Sequence, residues 1–198
     1  MNNRIAKAFG VSALLAVAAG CASPGDAGPI VAAEPMAGAA GPHPAAPAQL
    51  SQFGRFVGLW RCAVEPIGPD GLASAPAGEA TWQWSWAMDG FAVQDTWRPD
   101  ESTQSPLSRG TGIRVFDSQS GVWRVAWTSV SAPQFSLFDA VADNQELVMS
   151  GQTGDFEVRM VFFAITDSEF SWRYEVRKRA DQTSWSGVAR MQCQRSDS

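Results

Sequence analysis

The chain has 198 residues, of which 45% are hydrophobic and 18% charged, and its formal net charge is −5 at pH 7. That composition suits one domain with a real core, and without a concentrated basic face it excludes nucleic acid as the partner. The one dense basic stretch, Arg177-Lys178-Arg179, falls at an expected turn and reads as a solvated loop.

The first 20 residues have the layout of an export signal. Arg4 and Lys7 are basic, Ala8 to Ala19 is a dozen mostly apolar residues, and small residues lead up to Cys21. The apolar run is too short to cross a hydrocarbon core, which takes about 20 helical residues. The run Ala18-Ala19-Gly20-Cys21 resembles the signal of a bacterial lipoprotein. The resemblance implies that Cys21 is diacylated and becomes the new N-terminus, so that the membrane is a partner through the lipid alone. The alternative is an ordinary secretory signal with an incidental cysteine. In such lipoproteins an aspartate after the cysteine favours the inner membrane. Ala22 stands there instead, which implies the outer membrane, facing the periplasm. Residues 21–49 are rich in Ala, Gly and Pro and cannot bury enough apolar surface to fold. They read as a flexible tether of about 30 Å mean span.

Residues 50–198 form the expected domain, all-β apart from a short helical turn near Ala48 to Phe56. Strand-like segments recur between turn signals, near Val57–Glu65, Gly78–Met88, Phe91–Arg98, Arg109–Asp117, Val122–Val130, Phe135–Ala142, Glu146–Gln152, Phe156–Thr166, Glu169–Arg177 and Thr183–Gln194. Asp89-Gly90 reads as a two-residue hairpin turn because both positions tolerate positive φ. Ser120-Gly121, Asp143-Asn144 and Gly154-Asp155 mark further turns. Short links of this kind predict up-and-down connectivity.

Side chains alternate across a strand. Trp82, Trp84 and Trp86 therefore share one face, opposite Thr81, Gln83 and Ser85. Phe91, Val93 and Trp97 repeat the pattern, as do Phe170, Trp172, Tyr174 and Val176. A sheet with one apolar face must cover it, and closing ten strands into a single up-and-down antiparallel barrel also removes exposed edges. Cys62 lies in the first strand and Cys193 in the last, and closure makes those strands neighbours. Cys62 is in phase with Trp60, and Cys193 with Trp185 and Met191. An oxidising envelope permits a disulfide between them; two buried free thiols are the alternative.

Phe56-Val57-Gly58-Leu59-Trp60 resembles the Gly-x-Trp signature of lipocalin-like (calycin) barrels. The resemblance implies that Gly58 and Trp60 mark one end of the barrel, with Arg190 or Arg195 of the last strand stacked on the tryptophan. Gly58-Leu59-Trp60, Gly112-Ile113-Arg114-Val115-Phe116-Asp117, Trp123-Arg124-Val125-Ala126-Trp127 and Phe170-Ser171-Trp172 together resemble an uncharacterised bacterial family of calycin-like domains of unknown function. That family implies an architecture and no activity.

A ten-stranded barrel is wide enough to enclose a ligand, and ligand pockets are apolar concavities with a few orienting polar groups. The candidate binding residues are Trp82, Trp84, Trp86, Phe91, Asp95, Trp97, Arg114, Phe170, Trp172 and Tyr174. Asp95 keeps phase with Phe91, Val93 and Trp97, which makes it a candidate inward carboxylate, and a buried charge must be paired. An arginine from within a strand, Arg114, Arg124, Arg159 or Arg173, then either faces Asp95 inside or lies outside with its head in water. The single histidine, His43, falls in the expected tether, which removes His-based triads, histidine metal clusters and a histidine haem ligand from the domain; no cofactor is expected. No nucleophile motif occurs, and the chain is not expected to be an enzyme, although Asp95 with Glu157 or Glu175 would suit two-carboxylate chemistry. The expected function is a lipid-anchored envelope protein whose barrel binds, carries or senses a small apolar or amphipathic molecule. The alternative is a solid-cored barrel that acts through its outer surface.

Overall fold

The computed structural model describes residues 38–75, 78–100, 109–180 and 184–196. The export signal, Cys21 and the tether as far as residue 37 lie outside the described residues. A short helix α1 (Leu50–Gly54) precedes ten strands: β1 (Gly58–Pro66), β2 (Gly78–Ala87), β3 (Ala92–Pro99), β4 (Gly110–Asp117), β5 (Val122–Ser129), β6 (Ser136–Asp143), β7 (Glu146–Thr153), β8 (Phe156–Phe163), β9 (Glu169–Lys178) and β10 (Ser186–Arg195). Each strand pairs antiparallel with the next, and β10 pairs with β1 to close the barrel. The expected all-β, up-and-down antiparallel barrel of ten strands is the one observed.

Closure is registered at the seam. Cys62 sits directly opposite Cys193, and a disulfide joins them. Trp185 does not share their phase, contrary to expectation. A bulge between Gly187 and Ala189 breaks the alternation along β10. Trp185 lies outside instead, between the guanidinium groups of Arg159 and Arg177 at 4.4 and 4.7 Å.

α1 plugs one end of the barrel. Leu50, Phe53 and Phe56 are buried there with Trp60, Trp84, Trp123, Phe162 and Phe170. The rings meet edge to face, Phe53 on Trp123 at 4.9 Å and Trp60 on Phe170 at 4.7 Å, the geometry that aromatic quadrupoles favour. Arg195, one of the two expected candidates, stacks on Trp60 at 4.2 Å and donates to the carbonyls of Val57, Arg55 and Asp167. Arg190 pairs with Glu65 on the outside.

Two expectations at this end are corrected. The link between β2 and β3 is four residues, Met88–Phe91, because Ala87 pairs with Ala92. Met88, Asp89 and Gly90 all take positive φ, and a Cβ on Gly90 would lie 2.5 Å from the Gly41 carbonyl. The segment assigned to the tether from 38 to 49 in fact packs here. His43 donates its N–H to the Gly90 carbonyl at 3.1 Å and stacks on Phe91 at 4.3 Å. Ala46 packs against the core. Phe91 precedes β3, is part-exposed under His43 and does not point inward with Val93.

Apart from Asp95 and Arg114, no charged residue of the described chain is buried, and apolar bulk lies inside. Arg124–Asp139, Arg159–Glu175 and Arg177–Glu157 pair across neighbouring strands on the outer face. This is the reverse of the distribution in barrels that span an outer membrane. Among the described residues no helix is long and apolar enough to cross a membrane.

Candidate functional site

Inward side chains descend in layers, and α1 consumes the lowest one. β2 runs toward α1, so Trp82 lies one layer above Trp84. β9 runs away from it, so Phe170, Trp172 and Tyr174 climb from the plug. Above the plug the layers do not meet, leaving a cavity of about 370 Å³ lined by Trp82, Trp97, Trp127, Trp172, Tyr174 and several methionines. A larger hollow of about 640 Å³ lies on the outer face of the seam. Exposed Arg61, Glu79, Arg98 and Gln192 line it, which makes it an open surface groove. The interior cavity is the candidate site.

A buried ion pair forms its floor. Asp95 and Arg114 are the two buried charged residues of the described chain, at 1% and 2% exposure, and their side chains are bonded to each other. The other Asp95 oxygen accepts the Trp82 indole N–H at 2.6 Å. Arg114 lies over the Trp84 ring at 4.3 Å and the Phe53 ring at 5.2 Å, so cation–π attraction also replaces water around the guanidinium. The Arg114 Nε and the Trp84 Nε1 donate to nothing.

Local sequence makes the pair sterically feasible. Asp95 is opposite Gly112 in the β3–β4 register, and Arg114 is two residues further along the same face. A Cβ on Gly112 would stand 2.7 Å from the Asp95 carboxylate and 3.1 Å from the Trp127 ring. Glycine there lets the carboxylate reach diagonally to the arginine. Near the open end the lining becomes more polar, with Ser136, Gln152 and Thr153. Burial pushes the Tyr174 phenol above its ordinary value of 10.0.

Five of the expected binding residues line the cavity: Trp82, Trp97, Arg114, Trp172 and Tyr174. Asp95 stands behind them as the partner of Arg114. Trp84 and Phe170 face inward but belong to the plug. Trp86 covers α1, its ring where a Cβ on Gly54 would be. Phe91 is outside the barrel wall, for the reason given above. Of the arginines left undecided, Arg124, Arg159 and Arg173 are on the outer face. Glu157 and Glu175 are held there by Arg177 and Arg159. The two-carboxylate arrangement with Asp95 therefore does not form. Among the described residues no group of His, Cys, Asp and Glu gathers as metal ligands.

Sequence reasoning missed Trp127, Phe138, Met149, Met160 and Met191 as lining residues. The signal was present for Trp127, which alternates with Trp123 and Val125. Gly151 is a further clue, since a Cβ there would strike the Phe138 ring.

The chain matches no family model and no curated protein. Among solved structures it is similar to the S-type phycobiliprotein lyase CPES of Guillardia theta, with a TM-score of 0.50 and 11% identity over 74% of this chain and 90% of that one. At that identity the likeness concerns the fold.

Proposed function

We propose that this protein is a binding module of the bacterial envelope, in which the barrel holds a small apolar or amphipathic molecule and a lipid on Cys21 tethers it to the outer membrane, facing the periplasm. The observation that carries the reading is the cavity of about 370 Å³ with a polar floor at Arg114, mostly apolar walls and a polar rim of Ser136, Gln152 and Thr153. Ligand pockets begin at about 300 Å³, and a barrel serving only as a scaffold gains stability by filling such a space. The proposal is for binding rather than catalysis: the interior carboxylate, Asp95, is bonded to both Arg114 and Trp82 and is not placed to move a proton.

Four tryptophans line the cavity, so intrinsic fluorescence reports occupancy directly. Delipidated protein is expected to show saturable quenching with medium-chain apolar and amphipathic compounds. Replacing Met160 by Trp, which fills the cavity from β8, is expected to abolish the response while the fold persists. Absence of saturation across such a panel, or unchanged binding in M160W, would overturn the reading. Native mass spectrometry of protein purified from its own cells identifies the occupant. The anchor rests on the export signal and Cys21; labelled palmitate is expected to enter the wild-type chain and not Cys21→Ser.

A further inference from the structure

The cavity is apolar around an ion pair that is already balanced. Arg114 is the one charged residue among those lining it, and Asp95, bonded to it, is the other buried charge of the described chain. The floor therefore carries a full positive charge and a full negative charge side by side, with no net charge. One donor of the lining remains unsatisfied beside the pair, the Arg114 Nε; the unpaired Trp84 Nε1 belongs to the plug. Leaving a buried donor unpaired is costly, so the floor lacks an acceptor but does not lack an anion.

Resting on the binding role proposed above, we infer that the barrel selects an uncharged amphipathic molecule whose head is a hydrogen-bond acceptor, a ketone, ester or amide carbonyl, in preference to a carboxylate or an ammonium of the same length. A carboxylate entering this space would be a second anion beside Asp95 sharing one cation, stripped of water among Trp, Met and Phe side chains. An ammonium would face the guanidinium. Burying an unbalanced charge costs far more than burying a neutral carbonyl that finds a donor. A neutral acceptor loses only its water bond and gains one from the floor.

Size sets the length of the probe. At the ~30 Å³ that one water occupies in the liquid, the cavity holds about a dozen non-hydrogen atoms. Aliphatic probes of ten carbons fit that space, with a slightly longer tail free to project through the open end.

The test is a matched series on the delipidated protein: decan-2-one, decanoate, decylammonium and decane, each titrated by tryptophan fluorescence at neutral pH. The expected order has decan-2-one binding about tenfold or more tighter than either ion, and tighter than decane because the carbonyl finds a donor. Decanoate equal to or tighter than the ketone would overturn the inference while leaving the binding role intact. So would decane matching the ketone, since no head group would then be read. If none of the four binds, the binding role falls, and the inference with it. Asp95→Asn supplies a gain of function, because it leaves Arg114 as a lone buried cation. In that variant the preference is expected to reverse, with decanoate about tenfold tighter than the ketone; an unchanged order would refute the neutralising role of Asp95. Should D95N not fold, the wild-type series decides alone.

Discussion

Arg114→Met removes one half of the buried pair and keeps much of the side-chain volume. The remaining carboxylate of Asp95, with no exposed side-chain surface, retains the indole N–H of Trp82 and loses its counter-charge. Breaking a buried pair from one side costs about 3–5 kcal/mol, because the survivor is an uncompensated charge. The retained Trp82 bond, worth about 1.5–3 kcal/mol to a charged acceptor, places the loss toward the lower figure. At roughly 2–4 °C per kcal/mol for a domain of this size, the melting temperature should fall by about 6–12 °C. The double variant Arg114→Met/Asp95→Asn removes both charges and leaves an amide oxygen for Trp82. It is expected to recover most of the loss, so that in a urea-denaturation cycle the double variant is clearly more stable than the sum of the two single losses allows. A single-variant loss under about 1 kcal/mol, or a double variant as unstable as the two singles added together, would refute the account of Arg114 and Asp95 as a mutually dependent pair.

Gly112→Ala should act at the same place by a different route: its Cβ displaces the Asp95 carboxylate and the Trp127 ring, with a loss of about 1–3 kcal/mol and a change in tryptophan emission. Equal stability and an unaltered spectrum would show that the carboxylate does not need the space. Reduction of the Cys62–Cys193 bridge opens a loop of 131 residues in sequence separation, worth about 5 kcal/mol on the chain-entropy account; urea midpoints with and without reductant measure it. Tyr174 is the single tyrosine, so ultraviolet titration reports it alone. Its folded pKa lies above the ordinary 10.0 because burial disfavours the phenolate. The neutral phenol's contribution to stability is therefore fully present below the unfolded value and is lost as pH rises past it toward the folded one. A ligand filling the cavity should push that midpoint higher still, and a midpoint indifferent to ligand would place Tyr174 outside the binding space.

Much of the architecture was legible in the chain itself because it rests on local regularities. Alternation in Trp82-Gln83-Trp84 and in Phe170-Ser171-Trp172 sorts side chains to two faces whatever the strand pairs with. Short turns such as Gly154-Asp155 leave consecutive strands little choice but to be neighbours. Cys62 and Cys193, near the two ends of that series, then marked the seam. Asp95 and an arginine partner were legible for a related reason: a charge on an apolar face demands its opposite.

Depth and side, by contrast, were decided only in three dimensions. Trp82 and Trp84 have the same local pattern, yet one lines the cavity and the other is packed into the plug, because α1 closes the end toward which β2 runs. Arg114 faces in while Arg124, Arg159 and Arg173 face out. On β4 and β8 both parities carry apolar residues (Ile113 and Val115 beside Arg114, Val161 and Phe163 beside Arg159), so periodicity there had no preferred face. Phe91 and Trp185 left their expected faces where the backbone departs from the strand, at a positive-φ link and a bulge. Alternation is a property of neighbouring residues; how far each lies from the plugged end depends on which strands surround it and on what fills the layer below.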